Sequence, residues 1–141
     1  MKLTAKTEYA CLAMLQLAAE RSGCKPMPIK ALSAKQDIPE GFLVQILQDL
    51  RRAGLVTSTR GASGGYQLAR ESAAISLAEV IEAIEGREPE PIESPATNPL
   101  ADALHSVCHE LQQQQQQRLD DLSLADMVEQ AAVGAEPMWY I

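Results

Sequence analysis

Between residues 61 and 65 the chain reads Gly-Ala-Ser-Gly-Gly, flanked by Leu-Val-Thr-Ser-Thr-Arg and Tyr-Gln-Leu-Ala-Arg. Both flanks are short and turn-bounded, and the first is rich in β-branched residues, so residues 55–60 and 66–70 are expected to be strands joined by a loop with unusual backbone freedom. An isolated two-stranded hairpin is at best marginally stable in water and must lean on other elements. Nearly all the remaining regular sequence has helical spacing. The chain is therefore expected to be mainly α, with one small hairpin as an appendage.

Upstream, Ala10, Cys11, Met14, Leu15, Leu17 and Ala18 recur at helical spacing behind Thr4, a suitable N-cap, which predicts a first helix over 4–21. Gly23, Pro26 and Pro28 break the chain, and a short helix over 29–36 turns Ile29 and Leu32 inward. The turn Asp37-Ile38-Pro39 follows, with Asp suited to the left-handed conformation and Pro39 to the start of a helix. That helix is expected over 39–53. Phe42, Leu43, Ile46, Leu47 and Leu50 form its inward stripe, and Glu40, Val44, Gln45, Gln48, Arg51 and Arg52 occupy other faces. Gly54 is placed to stop it.

Downstream, Ser76 and Glu79 have capping-box spacing before a helix with Leu77, Val80, Ile81 and Ile84 inward, closed by Gly86. Residues 87–99, rich in Pro and Glu, read as an extended linker. Leu100, Leu104, Val107 and Leu111 alternate steps of four and three, the seam of a helix that pairs with another helix. The glutamines at 112–117 continue it as solvated helix, with low-complexity disorder as the alternative. Ser123 and Asp126 suggest a cap for a short helix carrying Leu124, Met127 and Val128. The organisation expected is a first domain over 1–86, a linker over 87–99, a pairing helix and short terminal helix over 100–131, and a tail over 132–141 that includes Trp139.

The formal net charge is −7, but it is divided unevenly. Residues 1–70 carry ten Lys/Arg against five Asp/Glu, a net of +5. Residues 71–141 carry two against fourteen, a net of −12. Such asymmetry fits a basic surface that meets a polyanion and an acidic body held away from it, although solvated surface with an incidental gradient would give the same count.

Two helices joined by a three-residue turn and followed by a glycine-tipped hairpin describe a winged helix-turn-helix. The second helix would enter the major groove, where Val44, Gln45 and Gln48 reach base edges and Arg51 and Arg52 lie near phosphates. Arg60 at the hairpin tip would enter the narrow, electronegative minor groove, and Gly61, Ser63, Gly64, Gly65 and Tyr66 would form the wing around it. Lys2, Lys30 and Lys35 complete the candidate contacts with double-stranded DNA. The plainer alternative is that the glycines serve only a tight turn and Arg60 is a solvated strand-end charge.

The opening MKLTAKTEYA, the run LVQILQDLRRAGLVTSTRGASGGYQLAR and the later SLAEVIEAIEG resemble the Rrf2 family of winged-helix transcriptional regulators, which includes the iron–sulfur cluster regulator IscR and the nitric-oxide-sensing repressor NsrR. The resemblance is close over about residues 1–86. It implies a homodimer built on crossed long helices, with Leu100, Leu104, Val107 and Leu111 at the contact. It also implies Arg60 in the minor groove and an operator that is an imperfect inverted repeat.

Many members of the family hold an iron–sulfur cluster on three cysteines between the capped helix and the long helix. Here that segment, GREPEPIESPATNPLADALH, contains none, and the chain's three cysteines are Cys11, Cys24 and Cys108. Clusters need soft thiolates for most of their ligands, so no cofactor is expected, and Glu8, at the position of an acidic ligand in some relatives, reads as a surface or dimer-contact charge. His105, Cys108 and His109 are types that bind zinc, but on a wheel of about 100° per residue the histidines point away from the seam and from Cys108. Solvated histidines and a packed Cys108 are expected, and no metal site. Cys11 reads as a small core residue. Cys24, beside Lys25 and near Arg21, is the thiol whose setting would favour a redox role.

Other functions compete. A winged-helix module that has lost DNA binding would use the acidic second half to hold a protein partner, and a thiol-based sensor would use Cys24. Catalysis is not expected, because no nucleophile–base–orienter set and no phosphate-binding loop is found. No segment has the length of a membrane span or the pattern of a signal peptide, so a soluble, cytoplasmic repressor responding to a protein or small effector is the expectation.

Overall fold

The computed structural model describes residues 1–20, 25–86 and 98–134. Thr4 accepts a hydrogen bond from the Thr7 amide at 3.2 Å and opens helix α1, Ala5–Ala19. Helix α2, Ile29–Gln36, ends at Asp37, whose φ of 53° is the left-handed conformation expected of this turn. Helix α3, Glu40–Arg52, begins one residue later than expected, with Pro39 as its N-cap. Strands β1, Val56–Thr59, and β2, Gly65–Leu68, pair antiparallel in the register Val56 opposite Leu68 and Thr59 opposite Gly65.

A single 3₁₀ turn, Ser72–Ala74, leads into helix α4, Leu77–Glu85, which carries the full Ser76/Glu79 capping box. Helix α5 is Pro99–Asp121, capped by Asn98, so it starts one residue before the expected boundary and runs unbroken through the glutamines. Helix α6 is Leu124–Gly134, and the Ser123 hydroxyl and Asp126 carboxylate satisfy each other's amides at 3.0 Å.

The core is organised around α1, which packs against α2, α3, α4 and α6. Met14, Leu32, Leu43, Ile46, Leu47 and Leu50 are fully buried together, each burial contributing about 1.5–3 kcal/mol. Thr7 is the buried polar residue of this core among the described residues, and its hydroxyl donates to Glu85 Oε1 at 2.8 Å, tying α1 to the end of α4. The hairpin is anchored at its base. Met27 and Tyr66 exchange both backbone hydrogen bonds at 2.8 Å, adding a one-residue third strand. The chain beyond α5 returns to the core through Leu77 N donating to Leu122 O at 2.8 Å and Leu124 N to Ile75 O at 3.0 Å, which seats Leu124 in full burial.

Phe42 departs from the expectation. It is 53% exposed, whereas Leu43, Ile46, Leu47 and Leu50 are fully buried. On the α3 wheel Phe42 stands about 90° from the centre of the buried stripe, so its ring lies along the flank and meets Tyr9 edge-on, centroids 6.1 Å apart. Cys108, expected to be packed, is exposed. Cys24, most of the linker and Trp139 lie outside the described residues. Among the described residues no helix is long and apolar enough to cross a membrane.

Candidate nucleic-acid interface

Helix α3 has two faces of opposite character. Its buried stripe locks onto α1 and α4, and the opposite line, Gly41, Gln45, Gln48 and Arg52, is exposed along with Val44 and Arg51. The exposed line is organised by Asp49. This carboxylate receives Lys6 Nζ at 2.9 Å, Gln45 Nε2 at 3.3 Å and Arg52 at 3.5 Å. The Lys6 hydrogen bond, helped by Gln45 and the charge of Arg52, holds the Asp49 carboxyl below its ordinary value of 3.8 against the opposing effect of desolvation. Asp49 thus stays ionised and restrains Gln45 and Arg52 on the outward face.

The hairpin places Arg60, Gly61 and Ser63 in solvent at the tip. Gly64, Gly65 and Tyr66 do not join them there. A side chain on Gly64 would run into the backbone of Thr59 and Arg60, and one on Gly65, at φ +154°, into the Met27 carbonyl. Tyr66 is half-buried against the core. These three build the base of the wing, while Arg60, Gly61 and Ser63 form the surface it offers.

The outlying lysines separate. Lys30 is exposed on α2. Lys35 binds Glu20 at 2.6 Å, and that hydrogen bond, with a second from Gln16, lowers the Glu20 pKa. Lys2 lies in a cleft of about 610 Å³ between the N-terminus, α4 and α5, alongside Glu82, Glu85 and Asp120. Gly41 and Phe42 also stand exposed at the start of α3, where the sequence had marked neither for the outward face. A glycine in the first turn of an otherwise well-formed helix was the available signal.

Helix α5 contains no buried residue. Leu100, Leu104, Val107 and Leu111 are 83, 63, 53 and 58% exposed, a continuous apolar row on one side of a 23-residue helix. A soluble protein seldom leaves such a row in water unless another surface covers it.

Residues 3–130 match the Rrf2 family, described as "Iron-dependent Transcriptional regulator". The chain belongs to the Rrf2 family. It is 32% identical over 138 residues to the protein rrf2 of Nitratidesulfovibrio vulgaris, an alignment covering 94% of this chain and 91% of that one. Against the HTH-type transcriptional regulator IscR of Cereibacter sphaeroides it is 44% identical over 86 residues, 60% of this chain and 56% of the relative, so the match spans little more than half of that protein's length. Among solved structures, IscR of T. potens superposes with a TM-score of 0.80 at 31% identity, covering 99% of this chain and 95% of that one. The global cysteine regulator CymR of B. subtilis gives 0.78 at 29% identity, covering 92% and 97%.

The donors among the described residues do not fit the thiolate set that an iron–sulfur cluster needs. Among the described residues no three His, Cys, Asp or Glu side chains converge to hold a metal ion. Cys11 is buried in α1, where desolvation, reinforced by the charges of Glu85 and Glu8, pushes its thiol up to about 11. Its side chain is packed among apolar core residues, with no convergent donor set among the described residues. Cys108, His105 and His109 are exposed on α5, and residues 87–97 contain neither Cys nor His.

Proposed function

We propose that this Rrf2-family chain is a homodimeric, sequence-specific DNA-binding regulator that acts as a repressor on an inverted-repeat operator without an iron–sulfur cluster. The observation that carries the reading is α3. One face of the helix is fixed in the core, the other holds Gln45, Gln48, Arg51 and Arg52 in solvent, and the hairpin that follows carries an exposed Arg60 at its tip. A helix presented in this way fits a B-DNA major groove, glutamines being suited to adenine edges and arginines to guanine or phosphate. Two copies related by the leucine row of α5 would present two such helices with two-fold symmetry, hence the inverted repeat.

The charge division supports the same orientation, with the basic first half toward the polyanion and the acidic second half away from it. The cytoplasm is the matching compartment. The effector would be a protein, a small ligand or a change in thiol oxidation.

The testing experiment is selection of genomic DNA fragments by the purified protein, with and without reductant, followed by metal analysis and visible absorbance of the same sample. Enrichment of an inverted repeat by colourless, metal-free protein is the expected result. Absence of enrichment at low salt would overturn the DNA reading in favour of a protein-interaction module, and binding that requires iron would overturn the cluster-independent reading.

A further inference from the structure

At the start of α3 the exposed ring of Phe42, Pro39, Gly41, the Lys6 stem and Gln45 line an open depression of about 530 Å³ whose surface is mostly apolar. It adjoins the outward line of Gln45, Gln48 and Arg52. Gly41 is the unusual member. Glycine is a poorer helix former than alanine. Yet a Cβ at Gly41 would meet nothing within 4 Å, and its φ is an ordinary negative one. Nothing among the described residues requires glycine at this position, and the space it leaves faces outward.

Phe42 adds a second oddity, a large apolar side chain kept in solvent and steadied by Tyr9 at 6.1 Å. In the major groove the apolar feature that base pairs present is the 5-methyl group of thymine, shared by 5-methylcytosine. We infer that Gly41, Phe42 and Pro39 form a receptor for a pyrimidine 5-methyl group, making Phe42 a specificity-determining residue and Gly41 the gap that lets the base edge approach. The inference rests on the proposed DNA reading and adds to it a preferred 5-methylpyrimidine in each half-site. Phosphate contacts from the flanking arginines would set the register, and Gln45 at the rim would bond the neighbouring base edge.

The test uses the full-length protein and the tightest duplex selected from a random pool, with each thymine replaced in turn by deoxyuridine. One position per half-site is expected to lose affinity about fourfold, the value of one buried methyl. Gly41→Ala fills the gap without meeting any protein atom, so it should fold, bind more weakly and no longer distinguish thymine from uracil at that position. Phe42→Ala should do the same without filling the gap. Cytosine and 5-methylcytosine at that position report whether the methyl alone suffices, and a methyl preference there is expected. If no uracil substitution matters, or if the discrimination survives in both variants, the receptor is refuted while the DNA reading stands. If no duplex is bound, both fall.

Discussion

Lys6 of α1 and Asp49 of α3 meet at 2.9 Å, and the same carboxylate restrains Gln45 and Arg52. One ion pair thus joins the packing of the first helix to the placement of outward-facing side chains. Asp49→Asn is expected to lower stability by about 1 kcal/mol, less than a buried charged hydrogen bond because Lys6 is 39% exposed. The folded pKa of Asp49 is depressed, so its contribution is present above the ordinary value of 3.8 and is lost as pH falls through the lower folded value. The urea midpoints of wild type and variant should therefore differ near neutrality and converge on strong acidification. A gap that stays constant with pH would show that the carboxylate's charge is not what stabilises.

Arg60 stands in solvent at the hairpin tip, so its removal should not disturb the core. Arg60→Ala is expected to weaken operator binding about tenfold or more while sedimentation still reports the same oligomer. Fluorescence anisotropy with the selected duplex measures this. Unchanged affinity would remove the wing from the interface.

Leu104, 63% exposed near the middle of the α5 row, is expected to pack against a second copy. Leu104→Glu should leave helical circular dichroism intact and shift sedimentation equilibrium from dimer to monomer, with a large loss of operator affinity. A variant that remains dimeric would place the interface elsewhere.

Gly65 and Gly61 both have positive φ, +154° and +109°, but their surroundings differ. A Cβ on Gly65 would strike the Met27 backbone and break the bridge that anchors the wing, whereas one on Gly61 would meet nothing within 4 Å. Gly61→Ala should cost about 1–2 kcal/mol from backbone strain alone, and Gly65→Ala clearly more. Thermal melts of the two variants test the order. Equal losses would mean that strain, and not the Met27 contact, limits the wing.

Much of this architecture was legible in the chain because its determinants are local. Thr4, the left-handed Asp37, the Ser76/Glu79 box and the Ser123/Asp126 pair each act within a few residues, and each terminates or opens a helix as expected. The leucine spacing of α5 was equally readable as helix, and Leu100, Leu104, Val107 and Leu111 stand exposed along it. The candidate interface was legible in outline, since residue type marks Gln45, Arg52 and Arg60 as polar or charged without reference to neighbours.

Other features depended on which atoms the folded chain brings together across long separations. Phe42 has the apolar character of a core residue, and the fold buries the stripe centred about 90° away, leaving its ring on the flank against Tyr9. Lys35 reads as a free cation until the fold delivers Glu20 to it. Gly65 looks like a loop glycine, yet its requirement comes from Met27, 38 residues earlier in the sequence. Hydrogen-bonded caps and helical spacing are short-range and are written into neighbouring residues. Burial, pairing and close backbone approach depend on distant segments that meet only when the tertiary structure forms.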